Sequence, residues 1–292
     1  MNVRYQRSVA ERLAEYAIAL VLSVAALVTI FPILYVFSNS ISGSRAILGG
    51  TVWLWPQDIT WVGYQTVVKS TEVWRSYYNT LWYTSVGTAL NVAITMTVAY
   101  PLSRRGFRGR SLLMFYIAFT MWFSGGIIPT FIIVRNLGLY ATRWAMVLPT
   151  AAAAWNIIIT RTYLQSNIDE SIPESAKIDG ANDLTIFFRI VVPVSSTIIA
   201  VNVLFYAVGH WNAYFPALIY LPDPDLHPLQ MVLRRLLILP PEEEERMAFE
   251  AIAGVTRNRF VVIMVGTLPI LAVYPFLQRY FIKGVMIGAL KG

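Results

Sequence analysis

Few side chains in this sequence are of a type that does covalent chemistry, and none has the partners it would need. There is no cysteine, which excludes a thiolate nucleophile, a disulfide framework and a thiolate zinc site. The two histidines, His210 and His227, are too few for a histidine metal centre. His210 also has no serine or carboxylate at triad-like spacing. The run Glu242–Glu245 follows Pro240-Pro241 and reads as the acidic first turn of an exposed helix. It lacks the alternating ligands and turn glycine of a calcium loop. No Gly-x-x-x-x-Gly-Lys-Ser/Thr segment occurs, so the usual phosphate-binding loop of an ATPase is missing. The sequence therefore points to recognition and away from catalysis.

The most informative stretch runs from Asp169 to Asp183. Ser171, Pro173 and Glu174 predict a helix start, with a Ser-x-x-Glu capping box and proline in the first turn. Gly180 suits the left-handed position that ends a helix. Asn182 or Asp183 can then cap a second helix through Phe187, Phe188 and Ile190 to Pro193. Small Ala176 and Ala181 allow close approach. The result is a surface-lying helix-turn-helix, suited to docking another protein. From capping alone an ordinary capped loop is an equal reading.

These motifs sit between long apolar runs. The chain has 292 residues, 57% hydrophobic and 13% charged, against about 25% charged in soluble domains. Six runs reach the roughly 20 residues that a membrane helix needs: 16–37, 78–100, 112–134, 144–163, 191–219 and 260–281. The net charge of +7 is carried between them, so its partner is the membrane surface and not nucleic acid. Arg104, Arg105, Arg108 and Arg110 crowd the loop after the second run, whereas Arg135 and Arg143 are alone after the third. The arginine bias puts both termini and the loop near residue 174 in the cytoplasm.

Polar and aromatic residues in the runs are candidates for a translocation path. Ser124, Gly125 and Gly126, with Pro129, interrupt the third run, and broken helices are tolerated where backbone faces protein or a wet cavity. Asn156 and Asn202 lie near the middle of the fourth and fifth runs. Trp122, Tyr206, Trp211 and Asn212 add aromatic faces with polar tips and a further amide. Taken singly, each of these reads first as helix packing or interface belt, and the amides of Asn79, Asn91, Asn156, Asn202 and Asn212 as bonds between neighbouring helices. Ala151–Ala154 reads as a packing face.

The sequence Glu174-Ser175-Ala176, then Asp179-Gly180-Ala181, then Ile190-x-x-Pro193 resembles the Glu-Ala-Ala loop of permease subunits in binding-protein-dependent ABC importers. Ser175 replaces the first alanine of that pattern and Val192 its usual leucine. Phe123–Pro129, Trp211-Asn212 and the C-terminal run 268–288 resemble the carbohydrate-uptake branch, of maltose-importer type. Within that branch the chain is similar to permeases for oligosaccharides and polysaccharide fragments, alginate among them.

The resemblance implies an all-α polytopic protein forming one transmembrane domain over 1–292. It implies six spans, a coupling loop over 164–196, and outer loops over 38–77 and 220–259. It further implies a homologous second permease, two ATPase subunits that carry ATP and Mg, an extracytoplasmic solute-binding protein and an oligosaccharide substrate. No cofactor is expected on this chain, and its setting is the lipid of the inner membrane. The alternative is a secondary sugar transporter run by an ion gradient. Such a carrier normally holds an ionisable group within its spans, and away from their ends these runs have no Asp, Glu, Lys or Arg.

Overall fold

The computed structural model describes residues 9–237, 254–272 and 275. The run Glu242–Glu245, most of the C-terminal motif and the end of the sixth apolar run lie outside them. The described residues are mostly helical, with no strand among them. They group into two compact units, residues 1–70 with 235–267 and residues 71–234 with 268–292.

The first unit holds α1 (Val9–Ser40), α2 (Ser44–Leu48) and α3 (Val62–Lys69). It also holds the helix Gly254–Ala272 as far as Thr267. At about 1.5 Å per residue, the 32 residues of α1 outreach the ~30 Å hydrocarbon core of a bilayer. Its apolar side chains are exposed along nearly the whole length, and only Ser38, Asn39 and Ser40 are buried. A helix that is apolar all round, with polar residues inside, is built for lipid. Close approach is secured at Gly63, where a β-carbon would lie 2.8 Å from Val261 Cγ2.

The second unit is a bundle around α4 (Thr71–Ser103). The same unit holds α5 (Arg110–Trp122), α6 (Ile127–Asn136), α7 (Ala154–Asn167), α8 (Ser171–Ile178) and α9 (Asp183–Ile186). A π turn at Phe187–Val191 leads into α10 (Val192–Val194), α11 (Ser196–Trp211), α12 (Phe215–Tyr220) and α13 (Leu229–Leu237), the last belonging to this unit as far as Arg234. On α4 the buried positions Ser76, Thr80, Tyr83, Gly87, Asn91, Thr95 and Ala99 recur every three or four residues, one face of a helix. That face is largely polar, because lipid gives helices no hydrophobic reason to associate and leaves packing and hydrogen bonds to do it.

The bonds are specific. Asn91 Nδ2 donates to the Thr150 carbonyl, which leaves its Oδ1 to accept from His210 Nε2 at 2.7 Å. Thr95 Oγ1 meets Tyr206 Oη at 2.7 Å, and Asn202 Nδ2 donates to Thr160 Oγ1 at 2.7 Å. Asn202, Tyr206 and His210 stand four residues apart on one face of α11. Apolar clusters flank this seam. One joins Met96, Ala99 and Leu102 to Leu164, Ile186 and Val191; the other joins Tyr83 to Met146, Val147, Ala217 and Leu221.

Three described helices are long and apolar enough to cross a membrane: α1, α4 and Gly254–Ala272. The count reaches five if α5 with α6, bent by 115°, and residues 183–194 with α11, bent by 79°, are each one span. The third run is broken where the sequence predicts. Gly126, at φ +83, makes the turn, and its N–H donates to Ser124 Oγ. The fourth run departs from expectation. Instead of one long helix over 144–163 it forms two 3₁₀ turns, Arg143–Met146 and Leu148–Thr150, before the 14-residue α7. Pro149 offers no N–H there, and the Thr150 carbonyl goes to Asn91. Ala151–Ala153 consequently stand outside the helix they were expected to pack.

Candidate functional site

The predicted helix-turn-helix forms as two short helices hung on one turn. Gly180 sits at φ +84, the left-handed region that glycine enters freely. The Ala181 N–H reaches back to the Ala176 carbonyl at 2.9 Å, and the Gly180 N–H to the Lys177 carbonyl at 3.0 Å. This is the paired-bond ending of a Schellman motif. Asn182 then caps α9, its Oδ1 accepting from the Thr185 N–H at 2.8 Å. Across the turn Lys177 Nζ lies 2.9 Å from Asp183 Oδ1. That hydrogen bond raises the Lys177 pKa above the ordinary lysine value.

The start of α8 departs from the predicted capping box. Ser171 lies inside the helix, and no side chain caps from the N-cap position, Glu170. The Ser171 N–H is taken at 2.8 Å by Asp169 Oδ1, and this bond holds the Asp169 carboxyl below its ordinary range. An aspartate two residues earlier thus takes the Ser171 N–H, the donor that the Ser-x-x-Glu pattern assigns to the Glu174 side chain. Glu174 is thereby left exposed and free of a helix-capping role, and Ser175 Oγ donates to the Ser171 carbonyl. Pro173 falls in the first turn, as expected.

Two faces result. Inward, Pro173, Ile186, Phe187 and Val191 are buried, and Ala176, Ala181 and Ile190 pack against the same core as Met96, Leu102 and Leu164. Outward stand Glu174, Asp179, Gly180 and three apolar side chains: Ile178 at 87% exposure, Leu184 at 69% and Phe188 at 64%. The element is thus rooted in the bundle while offering an uncovered apolar and acidic surface. Beside it opens a cavity of about 690 Å³, walled by Tyr100, Arg104, Arg105, Glu174, Lys177 and Phe188 among others. Arg104 lies over the Tyr100 ring, 5.2 Å from its centroid, and the Arg105 N–H donates to Glu170 Oε1. The arginine-rich segment after α4 therefore shares a wall with the helix pair. Pro193, exposed, lies in α10, two residues past the π turn and just before the 79° bend.

The candidate path residues take two kinds of place. Trp122, Ser124, Gly125 and Gly126 are exposed at the α5–α6 break, as is Asn212 just past α11. Asn156, Asn202, Tyr206 and Trp211 are buried within the bundle. Trp211 meets Tyr77 edge-on with centroids 5.9 Å apart. None of these residues lines the cavity at the docking element. Asn202 Oδ1 alone among them is a buried side-chain atom without a hydrogen-bond partner.

Sequence reading missed Gly87. A β-carbon there would lie 2.4 Å from His210 Nε2, so α4 and α11 meet at a contact that excludes any side chain. The signal available was a lone glycine inside an apolar helix, a position that normally has a packing reason. Asn79, one of the amides expected to bond across helices, is fully buried, and its Nδ2 donates to the carbonyls of Asp225 and His227.

Comparison with known proteins gives the site its context. The chain is 40% identical over 280 residues to Protein LplC of Bacillus subtilis, covering 91% of this chain and 90% of that one. It is 39% identical over 283 residues to the polygalacturonan/rhamnogalacturonan transport system permease protein YtcP of the same organism, covering 91% and 94%. A crystal structure of a bacterial ABC transporter involved in the import of the acidic polysaccharide alginate contains a chain of similar fold. The TM-score is 0.83 and the identity 35%, over 94% of this chain and 99% of that one. Residues 91–287, which include the whole helix pair, match one family. This chain belongs to the binding-protein-dependent transport system inner membrane components.

Proposed function

We propose that this chain is one permease subunit of an ATP-driven ABC importer for oligosaccharides or polysaccharide fragments of acidic sugars. The observation that carries it is the helix pair. It has one face sunk in the core that joins α4 to α7 and the other uncovered, apolar and acidic. A surface of that kind transmits force from a partner into the bundle. The partner is an ATPase, because this chain has no phosphate-binding loop of its own. ATP and Mg are bound by two such subunits, and this chain binds no cofactor.

In the assembled importer a homologous second permease completes the path and a solute-binding protein delivers the sugar from outside. ATP closing the ATPase pair draws the docking elements together and swings the bundle toward the outward-facing state. Glu174 meets a basic group on the ATPase, and Gly180 fixes the angle between the two docking helices. Six spans in one domain put both termini and the 164–196 loop in the cytoplasm and the 38–77 and 220–259 loops outside. The exposed backbone at Ser124–Gly126 and the spare acceptor of Asn202 are the groups of this chain offered to the path. The acidic-sugar reading rests on the relatives that handle polygalacturonan and alginate.

The test is purification of the tagged chain with its complex in mild detergent, followed by reconstitution in vesicles. Bound ATPase subunits are expected, with ATP hydrolysis that rises severalfold on addition of binding protein loaded with an oligouronate. Transport by the purified chain alone, driven by a proton or sodium gradient, would overturn the proposal in favour of the secondary carrier.

A further inference from the structure

Arg143 begins the 3₁₀ turn after α6, and in the sequence it counted only toward topology. In the structure it is held from three sides. Its guanidinium lies 5.6 Å from the centroids of both Tyr78 and Trp82, successive residues on one face of α4. Its Nη2 donates to Asn79 Oδ1 at 3.0 Å. The Asn79 orientation is not free, because its Nδ2 is spent on the carbonyls of Asp225 and His227. Trp144 extends the aromatic wall, edge-on to Trp82 at 5.6 Å.

Arg143 nevertheless has no carboxylate among the described residues. It takes no part in the ion pairs of Arg75 with Asp225, Arg105 with Glu170 and Lys177 with Asp183. Asp225, the nearest acidic residue along the network, is thus already engaged by Arg75. A half-buried guanidinium that is oriented, flanked by rings and uncompensated keeps several N–H donors for an anion. Arginine matches a carboxylate with two parallel bonds, and rings such as Tyr78 and Trp82 offer apolar faces to a sugar.

We infer that Arg143, between Tyr78 and Trp82, binds a carboxylate of the transported sugar chain on the outer side of the bundle. This rests on the acidic-substrate reading and makes Arg143 a specificity determinant within it. A neutral sugar would find the rings but leave the guanidinium unmatched.

The experiment is uptake by the reconstituted complete importer, comparing an oligogalacturonate with the same oligosaccharide after carboxyl reduction. The wild type is expected to prefer the acidic form. Arg143→Gln should raise KM for the acidic form tenfold or more with little change in kcat, and should erase the preference. Arg143→Lys, which keeps the charge without the fork, should recover part of it. A wild type with no preference removes the acidic-substrate reading and the Arg143 assignment together. A wild type that discriminates beside an Arg143→Gln variant that still does so overturns the Arg143 assignment alone. Equal loss for both sugars would mean a structural role and would also overturn it. So would a defect that appears in phosphatidylglycerol vesicles and vanishes in phosphatidylcholine, since that assigns the guanidinium to a lipid phosphate.

Discussion

Replacing Gly180 with valine is expected to abolish sugar-stimulated ATP hydrolysis while the permease still inserts and its complex still assembles. At φ +84 a residue with a β-carbon is disfavoured by about 1–2 kcal/mol, and a β-branched one is a genuine outlier. No atom lies within 4 Å of the position a β-carbon would take, so the penalty is in the backbone and not in a clash. Relief means rotating the turn, which breaks the Ala181 to Ala176 and Gly180 to Lys177 bonds and reorients α8 against α9. The outward face, Glu174 on one helix and Leu184 on the other, is then no longer one surface. Asparagine tolerates the left-handed region, so Gly180→Asn should retain most of the coupling and alanine an intermediate share. Glu174→Ala removes a charge without moving the turn and should lose only part. ATPase assays with and without loaded binding protein, beside a check of subunit composition, measure all four. Full coupling in the valine variant would contradict the role given to the turn.

An equally large effect is expected at Gly87, by a different route. A leucine there has to displace the His210 ring from α4, since the first atom of its side chain already falls 2.4 Å from Nε2. The Asn91–His210 bond would break with it. Overpacking typically destabilises by about 1–3 kcal/mol, and a seam that joins the two central helices has little room to yield. Gly87→Leu should therefore fail to accumulate in membranes. Gly87→Ala should insert but melt at a lower temperature in detergent, and the double variant Gly87→Ala/His210→Ala should melt above that single. Coupling of this sign, in the range of about 0.5–3 kcal/mol, is what a direct contact gives. Wild-type expression and melting of Gly87→Leu would show that the two helices do not pack as described.

Much of the helix pair was legible because its signals are local. Gly180, Asn182 and Pro193 act within a turn of themselves, and each takes the conformation its residue type prefers. The capping box failed for a local reason too, since Asp169 reaches the Ser171 N–H first. The break at Ser124–Gly126 could be read because glycines at consecutive positions leave a helix little to hold it. The fourth run misled because composition reports how apolar a stretch is and not where its backbone carbonyls go. Its first third is shaped by Asn91, some sixty residues earlier in the chain. The same limit hid Gly87 and Arg143. Their importance lies in what faces them across helices, and a single sequence carries no record of that pairing. The asparagines showed both sides of it: bonding between helices was the expected role, and Asn91 and Asn202 have it, but no spacing rule named their partners.

The central claim, that the helix pair meets an ATPase on the cytoplasmic side, is tested most directly from Ser175. The chain has no cysteine, Ser175 is exposed beside Glu174, and Ser175→Cys therefore places one unique thiol on the docking face. In membranes holding the whole complex, a short thiol-to-amine cross-linker should join this position to the ATPase subunit. In intact cells the thiol should stay unlabelled by an impermeant maleimide added outside. Labelling from outside, together with no cross-link to the ATPase, would contradict the account.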